Sequence, residues 1–356
     1  MTGSPVVVGV DGSPEARWAA KWAARDAVLH GRPLRLVHAY LIPAQAYPHV
    51  HRPATAFRAT MRRAGGVLLR ETERAVLAAE PAVEVETSLR EGDTRVVLID
   101  ESRYAAAVVL GSRGLKGAGR LLLGSAGLAV AVHGHCPVVV VRADREDRGP
   151  VVVGVDGWPE AAAAVRFAFH EASSRGTGVT ALRTWAGLRP AGRGGSAAEH
   201  ERERESLAEQ VAGIAAEFPG VPVDCVVVRG KPGKTLLEYG EHARLIVVGS
   251  RGHGGLAGLL TGSTSQEVAA DAQCPVAVVR TFPARKEVRA ARVERRRDEM
   301  DEREKARAGQ EARQVAGKQA RGTAELADLA IKRYVAAQQF HDREAVADEP
   351  TPDETP

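Results

Sequence analysis

The chain has 356 residues, 44% of them hydrophobic, which is enough for two ordinary domains with well-filled cores and some additional chain. Aromatic residues make up only 4% of the sequence, so the cores must consist of aliphatic side chains, as is typical of parallel α/β sheets. The net charge of +4 is spread along the chain without a lysine-rich arm, which argues against nucleic acid as a partner.

The first part of the chain alternates between short apolar runs and longer amphipathic segments. The apolar runs predict five buried strands, at residues 5–10, 34–40, 83–89, 106–110 and 136–141. Helices are predicted between them, at residues 15–30, 57–80, 94–104 and 126–132. Ser13 followed by Pro14 is typical of a helix start, and Ser125 is placed to cap the last helix. This alternation predicts a parallel α/β unit with helices on both faces of one sheet.

The second part of the chain repeats the first. The sequence Pro-Val-Val-Val-Gly-Val-Asp-Gly occurs at residues 5–12 and again, without a difference, at residues 150–157. Strands are predicted there at residues 150–155, 178–185, 221–228, 245–248 and 274–279, and helices at residues 159–175, 197–218 and 232–242. Internal repetition of this length indicates two copies of one fold. We therefore predict one domain over residues 1–143 and a second over residues 149–281, joined by a short charged linker that holds them as a fixed pair.

The composition changes after the second copy. Residues 285–321 are dense in charged side chains, which predicts a solvated helix or disorder, and residues 323–340 carry apolar side chains at helical spacing. We interpret residues 282–356 as an appended charged tail, helical to disordered, with a site for a specific partner as the alternative.

Each copy contains the motif Gly-x-x-Gly-x9-Gly-Ser directly after its fourth apolar run. The motif runs from Gly111 to Ser125 and again from Gly249 to Ser263, so that both of its ends are offset by 138 residues. Glycines let backbone N–H groups approach a phosphate, and a helix N-terminus adds unpaired donors and a partial positive charge. The motif predicts an anion site in each copy; the alternative is that its glycines only shape a turn between strand and helix.

Two aspartates and two serines are the candidate polar groups of these sites. Asp11 and Asp156 follow the first strand of each copy and lie beside the glycine motif if the fourth strand neighbours the first. A carboxylate there can accept hydrogen bonds from a ribose or hold a metal ion on the phosphates, or it can instead cap its own turn. Ser125 and Ser263, with the N–H groups that follow them, are predicted to hold phosphates at the helix starts.

A pair of arginines and a glycine- and lysine-containing segment are further candidates for binding phosphate. Arg113 and Arg251 either supply positive charge to the phosphates or are solvated loop arginines. Residues 230–235 end like a P-loop, but the spacing requires glycine where Val228 stands, and Pro232 would remove an N–H group from the cradle. We therefore predict no P-loop.

The sequence also bears on location and catalysis. Its three cysteines, Cys136, Cys225 and Cys274, form no C-x-x-C pair, so a reducing compartment is expected rather than a disulfide framework or a zinc site. The N-terminus has no basic leader, and no segment reaches the ~18 uninterrupted apolar residues of a membrane span, so we expect a cytoplasmic protein without a membrane partner. No Ser-His-Asp, Cys-His or His-rich arrangement recurs between the copies, so we predict no catalytic residue and no protein-bound metal.

At this point the chain resembles the tandem form of the universal stress protein family. The resemblance rests on Val-Gly-Val-Asp-Gly at both starts, on the two glycine motifs and on the closing Cys-Pro-Val-x-Val-Val strands. It implies a doubly wound, Rossmann-like, five-stranded parallel sheet of order 3-2-1-4-5 in each copy, with the copies paired through their last strands as an internal pseudo-dimer to which a homodimer could be added. It also implies ATP as the ligand, with Mg²⁺ an optional ion on the phosphates.

The resemblance further implies which residues surround the nucleotide. The phosphates lie at the helix starts, on Gly124, Ser125, Ala126, Gly127, Gly262, Ser263, Thr264 and Ser265. The ribose and adenine lie near Val10, Asp11, Ala39, Gly111, Gly114, Val155, Asp156, Thr184, Gly249 and Gly252. The two sites are expected to differ in affinity because Ala126-Gly127 lacks the hydroxyls of Thr264-Ser265, and because Trp158 stands where the first copy has Ser13.

The sequence thus predicts an ATP-binding, non-catalytic regulator of a stress or dormancy response, in which nucleotide occupancy alters binding of a protein partner. One alternative is a protein-interaction module in which the nucleotide is structural and the tail recruits the partner. The other is a slow nucleotide hydrolase.

Overall fold

The computed structural model describes residues 3–42, 53–112, 124–143, 148–157, 161–185, 197–250 and 262–280. The predictions made for the tail and for Arg113, Gly114, Arg251, Gly252 and Trp158 lie outside the described residues. The two copies, hereafter the first and second repeat, share one compact unit that comprises Met1–Leu41 and Leu68–Arg285; Ile42–Val67 of the first copy belongs to a second unit.

Strands and helices alternate in both repeats. The first repeat contains β1 (Val6–Gly9), α1 (Pro14–Leu29), β2 (Leu34–Tyr40), α2 (Pro53–Ala79), β3 (Val85–Glu91), α3 (Thr94–Ser102), β4 (Ala107–Gly111), α4 (Ser125–His133) and β5 (Val138–Val141). The second contains β6 (Val151–Gly154), α5 (Ala161–Ser174), β7 (Val179–Trp185), α6 (Ala197–Ala215), β8 (Val223–Arg229), α7 (Pro232–Gly240), β9 (Leu245–Gly249), α8 (Ser263–Asp271) and β10 (Val276–Val279). Each predicted element is present, with ends shifted by a few residues where frayed turns meet loops.

The ten strands form a single sheet in the order β3-β2-β1-β4-β5-β10-β9-β6-β7-β8. Within each repeat the neighbouring strands are parallel, and the predicted order 3-2-1-4-5 is confirmed. The repeats meet at β5 and β10, which pair antiparallel with Val138 opposite Val278 and Val140 opposite Val276. Because every position of these two short strands is a buried Val or Ala, the junction is an apolar ladder that leaves neither strand as an exposed edge.

The two faces of the sheet are packed differently. One face is covered by α1, α2, α5 and α6, and its buried residues form a single core that runs through both repeats, from Trp22 and Leu36 to Phe169 and Leu207. On the other face, α3 and α4 cover a separate core in the first repeat, and α7 and α8 cover one in the second. The repeats are therefore joined through both the sheet and one shared layer of helices.

Candidate functional site

The site predicted from the sequence lies where the strand order reverses. β1 pairs with β2 on one side and with β4 on the other, and β6 pairs in the same way with β7 and β9. In open α/β sheets a ligand binds at the carboxyl ends of the strands at this switch point. The fourth strand of each repeat does neighbour the first, as the prediction for the aspartates requires. Asp11 and Asp156 follow β1 and β6, and the glycine motifs begin at the ends of the neighbouring strands β4 and β9.

The turn after β1 is held by the side chain of its aspartate. Oδ1 of Asp11 accepts a hydrogen bond of 2.9 Å from the backbone N–H of Ser13, and Gly12 between them has φ +91°. Gly157 has φ +88° after Asp156, a backbone conformation that favours glycine. Of the two roles left open for Asp11, the capping of its own turn is thus present in the structure. Asp156 is exposed.

Ser13 caps α1, as its position before Pro14 predicts. Its Oγ accepts a hydrogen bond of 3.2 Å from the N–H of Ala16. The prediction that Ser125 caps α4 is wrong: the cap is Gly124, and Ser125 is the first helical residue. The cap of α8 is likewise Gly262, and neither glycine offers a side chain to an N–H group of the first turn. Both helices therefore begin without the side-chain acceptor that Ser13 supplies to α1, and without an acidic residue in the first turn.

The structure gives a packing reason for glycine at one position of the first motif and not at another. A Cβ added to Gly111 would lie 2.7 Å from the carbonyl carbon of Glu15 and 2.9 Å from the amide nitrogen of Ala16, so the first turn of α1 packs directly on this backbone. A Cβ added to Gly124 would meet nothing within 4 Å, and its φ of −50° is open to any residue. Packing therefore explains Gly111, whereas nothing among the described residues requires glycine at position 124.

Two serines stand directly after β4 and β9. Ser112 is 2% exposed, and its Oγ has no hydrogen-bond partner within the part of the chain that the structure describes. In the second repeat the carbonyl of Ser250 accepts a hydrogen bond of 3.2 Å from the N–H of Gly262, which brings the two ends of the motif together. Ser265 adds a hydrogen bond of 2.8 Å from its Oγ to the carbonyl of Gly262. The hydroxyl of Ser265 is thereby turned back onto the cap of its own helix.

The remaining predicted residues lie along the same ends of the strands. They differ in exposure: Val10, Val155 and Gly127 are buried, Ala39, Thr184, Gly249, Ala126 and Thr264 are half-buried, and Ser125 and Ser263 are exposed. The N–H groups of Val10 and Val155 donate to the carbonyls of Val37 and Leu182 and extend the β1–β2 and β6–β7 ladders. These two residues can offer a ligand only their carbonyl groups or side-chain surface.

Two basic residues at this edge of the sheet are absent from the set predicted from the sequence. His38 on β2 has Nδ1 2.7 Å from the carbonyl oxygen of Val10. Arg183 on β7 is its counterpart, because β2 and β7 begin at Leu34 and Val179 and both residues lie four positions further on. Its guanidinium approaches within 3.8 Å of the place where a Cβ on Gly157 would lie. The offset of 145 between these residues is that of the repeated segments 5–12 and 150–157, so alignment on those segments, though not on the glycine motifs with their offset of 138, could have revealed the equivalence.

Arg183 is held from one side by α6. Its guanidinium contacts Glu203 at 3.4 Å and Ser206 at 3.3 Å, and it also donates to Gln210. The side chain is only 8% exposed, so it is fixed beside the turn after β6 rather than free in solvent. The second repeat thus places a guanidinium where the first has an imidazole.

A separate cluster of charged groups joins α1 to α5. Among the described residues, Asp26, His30 and Glu171 are the one set whose spacing could hold a metal ion. The guanidinium of Arg175 lies 2.6 Å from Oδ1 of Asp26 and also pairs with Glu171, so the carboxylates already have a cation. His30 Nε2 lies 3.2 Å from Glu171 Oε1 and 3.7 Å from Asp26 Oδ1. We interpret the cluster as an ion-pair network between the repeats.

The surroundings of this network shift its pKa values in opposite directions. Burial, together with the negative charge of Glu171, raises the pKa of Asp26 to about 6. The Glu171 carboxylate raises the pKa of His30 above its ordinary value against the opposing effect of burial. For Glu171 itself, burial is outweighed by His30 and Arg175, and its pKa is lowered. With His30 neutral, the buried network carries one uncompensated negative charge, which a single proton removes.

Two doubly wound α/β units joined edge to edge define the class of protein, and comparison with known proteins identifies the family. The universal stress protein family model matches residues 4–142 and again residues 148–280. A universal stress protein of Mycolicibacterium smegmatis is 37% identical over 284 residues, which cover 77% of this chain and 96% of that protein. One of Mycobacterium tuberculosis is 36% identical over 285 residues, with the same coverage. The chain therefore belongs to the universal stress protein family, with two family units in tandem.

A solved structure shares the fold of the whole pair. A universal stress protein from Archaeoglobus fulgidus aligns with a TM-score of 0.59 and 22% identity, over 79% of this chain and 97% of that one. Within the described ranges, no helix has the length and apolar character needed to cross a membrane.

Proposed function

We propose that this protein is an ATP-binding regulator of a stress response that does not itself catalyse a reaction. Its first nucleotide site would lie at the β1–β4 switch point and its second at the β6–β9 switch point. The observation that carries the proposal is Gly124, a glycine at a helix start with an ordinary φ and with no described group within 4 Å of the place where a Cβ would lie. A ligand that needs close backbone approach explains such a glycine, and a phosphate is the ligand that helix N-termini attract.

The residues around this glycine fit a phosphate. The N–H groups of Ser125, Ala126 and Gly127 belong to the first turn of α4, where no N–H group has an intrahelical partner. The buried Oγ of Ser112 supplies a hydroxyl that has no other partner among the described residues. The first turn also lacks an acidic side chain that would compete with an anion. The charge on ATP would thus be met by the partial positive charge of the helix, and Mg²⁺ would be held through the phosphates.

The proposed sites differ in their details. In the second repeat the N–H of Gly262 donates to the carbonyl of Ser250 and the hydroxyl of Ser265 to that of Gly262, whereas the hydroxyl of Thr264 has no counterpart at Ala126. Arg183 adds a fixed positive charge near Gly157 that the first repeat lacks. We propose that the sites therefore bind ATP with unequal affinity.

The hydrogen bonding of Asp11 supports a regulatory rather than a catalytic role. Its Oδ1 already accepts the N–H of Ser13, which suits a residue that shapes the turn beside the ribose rather than one that activates a water molecule. We also propose a cytoplasmic location, which the three free cysteines suit.

The first experiment is mass spectrometry of the small molecules released when freshly purified full-length protein is denatured. ATP at one or two molecules per chain is the expected result. A protein that releases no nucleotide and does not bind added ATP contradicts the proposal and favours the interaction module. Turnover of added ATP above background, lost in Asp11→Ala with Asp156→Ala, favours the slow hydrolase.

The second experiment changes the glycines. We expect Gly124→Val with Gly262→Val to weaken ATP binding by at least tenfold, because each lost backbone hydrogen bond to a charged phosphate is worth about 1.5–3 kcal/mol. Each substitution should lower the free energy of unfolding by no more than about 1 kcal/mol, because valine is a poorer N-cap than glycine while no described group lies within 4 Å of a Cβ on Gly124. Gly220→Val is the control, because Gly220 has equally open surroundings outside the site. Unchanged affinity in the double variant contradicts the assignment of the sites.

A further inference from the structure

Each repeat contributes one arginine that contacts the other repeat across the junction of β5 and β10. Arg142 follows β5 of the first repeat, and its guanidinium donates to the carbonyls of Ala269, at 3.3 Å, and Ala270 in α8 of the second repeat. Arg280 follows β10 of the second repeat and donates to the carbonyls of Val132 in α4 and Gly134, at 3.3 Å, in the first. Each arginine thus leaves its own repeat and reaches the end of a helix in the other.

The exchange is symmetric in sequence. Arg280 lies 138 residues after Arg142, and Ala270 lies 138 residues after Val132, so equivalent arginines contact equivalent carbonyls. The antiparallel pairing of β5 with β10 explains this, because each strand runs toward the start of its neighbour, where the preceding helix has just ended. The contacts are partly buried, and they differ in this respect from surface arginines.

These carbonyls belong to groups that a helix cannot satisfy by itself. The last four carbonyls of a helix lack an intrahelical N–H partner. The N–H of Gly134 satisfies Val130 in α4, and that of Ala272 satisfies Val268 in α8, but the carbonyls of the next turn are left to the arginines. A guanidinium there also meets the partial negative charge of the helix C-terminus. Each helix therefore ends on a cation from the other repeat.

The same two helices begin at the proposed phosphate sites. α4 starts directly after Gly124 and α8 directly after Gly262, and each has only nine residues. A helix of this length is about 14 Å long, too short to bend, so a shift at one end moves the N–H groups at the other. A phosphate at the other end of the helix lies beyond the Debye length of about 8–10 Å, so its direct attraction to the arginine is largely screened and the arginine acts chiefly through the position of the helix.

We propose that Arg280 and Arg142 are positioning residues that act between the repeats, Arg280 for the nucleotide site of the first and Arg142 for that of the second. The inference rests on the proposed function, because it assigns a role relative to the same sites. If the arginines position the helices, the contact between the repeats affects the affinity for nucleotide. Because such coupling is reciprocal, nucleotide binding in turn strengthens the contact between the repeats. Such a coupling would let occupancy of one repeat be sensed by the other.

The test measures ATP binding by calorimetry in full-length chains with one site left intact. Gly262→Val leaves the first site, and Gly124→Val leaves the second. In the Gly262→Val background we expect Arg280→Ala to raise the Kd for ATP about fivefold, which corresponds to about 1 kcal/mol, and Arg142→Ala to have a smaller effect. In the Gly124→Val background the order of the two arginine variants should reverse.

Conservative and unrelated arginine variants complete the design. Arg280→Lys keeps a cation that can reach one carbonyl, so it should restore part of the affinity, and it serves as the test if Arg280→Ala does not fold. Arg204→Ala is the control, because Arg204 forms an exposed ion pair with Glu201 within α6.

The outcomes separate this inference from the proposed function. If the parent chain binds no ATP, both the proposed function and this inference are wrong. If the parent and single-site chains bind ATP but the arginine variants bind with unchanged Kd, only this inference is overturned. Equal weakening of both sites by either arginine variant also overturns it, because a general loosening of the junction has no preference for one site. A reversal of order between the two backgrounds supports it.

Discussion

The ion-pair network between α1 and α5 allows a quantitative prediction. Among its described groups, Arg175 supplies the one guanidinium. Arg175 is 3% exposed and forms ion pairs with both Asp26 and Glu171, each 7% exposed. Arg175→Met keeps much of the side-chain volume but removes the guanidinium, and with it the charge and the cation–π contact with Trp22. The change leaves two buried carboxylates without their shared cation. We expect a loss of about 3–5 kcal/mol in the free energy of unfolding at pH 7.5, which is the usual cost of breaking a buried ion pair.

The pH dependence of this loss distinguishes an electrostatic cause from a packing cause. At pH 5.5 the network can take up protons on Asp26 and His30, whose pKa values are already raised in the parent chain. The variant should therefore lose less than half as much stability at pH 5.5 as at pH 7.5. The assay is urea unfolding of parent and variant at both pH values, with the free energy taken from the midpoint and slope.

A matched control lies on α5, the helix that Arg175 directly follows. Arg166 pairs with Glu217 at the surface, where its side chain is 53% exposed, so Arg166→Met should cost less than about 1 kcal/mol at either pH. The reasoning is refuted if Arg175→Met is as stable as the parent chain at pH 7.5. It is also refuted if the loss is the same at both pH values, because a cavity does not titrate.

Two further predictions concern the parent chain and the glycine motif. The pKa values of Asp26 and His30 in the folded protein lie above their ordinary values, so their bound protons stabilise the fold at low pH, and this stabilisation is lost as pH rises through the folded pKa values. The parent chain should therefore unfold at a higher urea concentration at pH 5.5 than at pH 7.5, and His30→Gln should reduce this difference. An unchanged difference in the variant would place its source outside the network. Gly111→Ala should lower the free energy of unfolding by about 1–3 kcal/mol because its Cβ meets the backbone of α1. Gly124→Ala should cost less than about 1 kcal/mol, because alanine only replaces glycine as the helix cap. Equal effects in thermal or urea unfolding would contradict the packing at Gly111.

Much of the architecture could be read from local patterns. The alternation of apolar runs and amphipathic segments predicted all the strands, and the repeat at residues 5–12 and 150–157 predicted that the fold occurs twice. Ser13 before Pro14 located the start of α1, because a cap is made by residues within one turn of each other. The same rule misplaced the cap of α4, where a serine follows a glycine and the backbone conformation of Gly124 decides which residue is first in the helix.

The sequence by itself determined those features that neighbouring residues decide together: which segments form strands, where most helices begin, that the fold occurs twice, and which glycines follow β4 and β9. Only the tertiary structure showed that Gly111 packs on Glu15 while Gly124 faces open space, that Arg175 neutralises Asp26 across 149 residues, and that Arg142 and Arg280 cap each other's repeat. These contacts depend on the register of β5 against β10 and on the helix layer shared by the two repeats. No local pattern encodes them, because a side chain's partners across a sheet are chosen by the packing of the whole molecule and not by its neighbours along the chain.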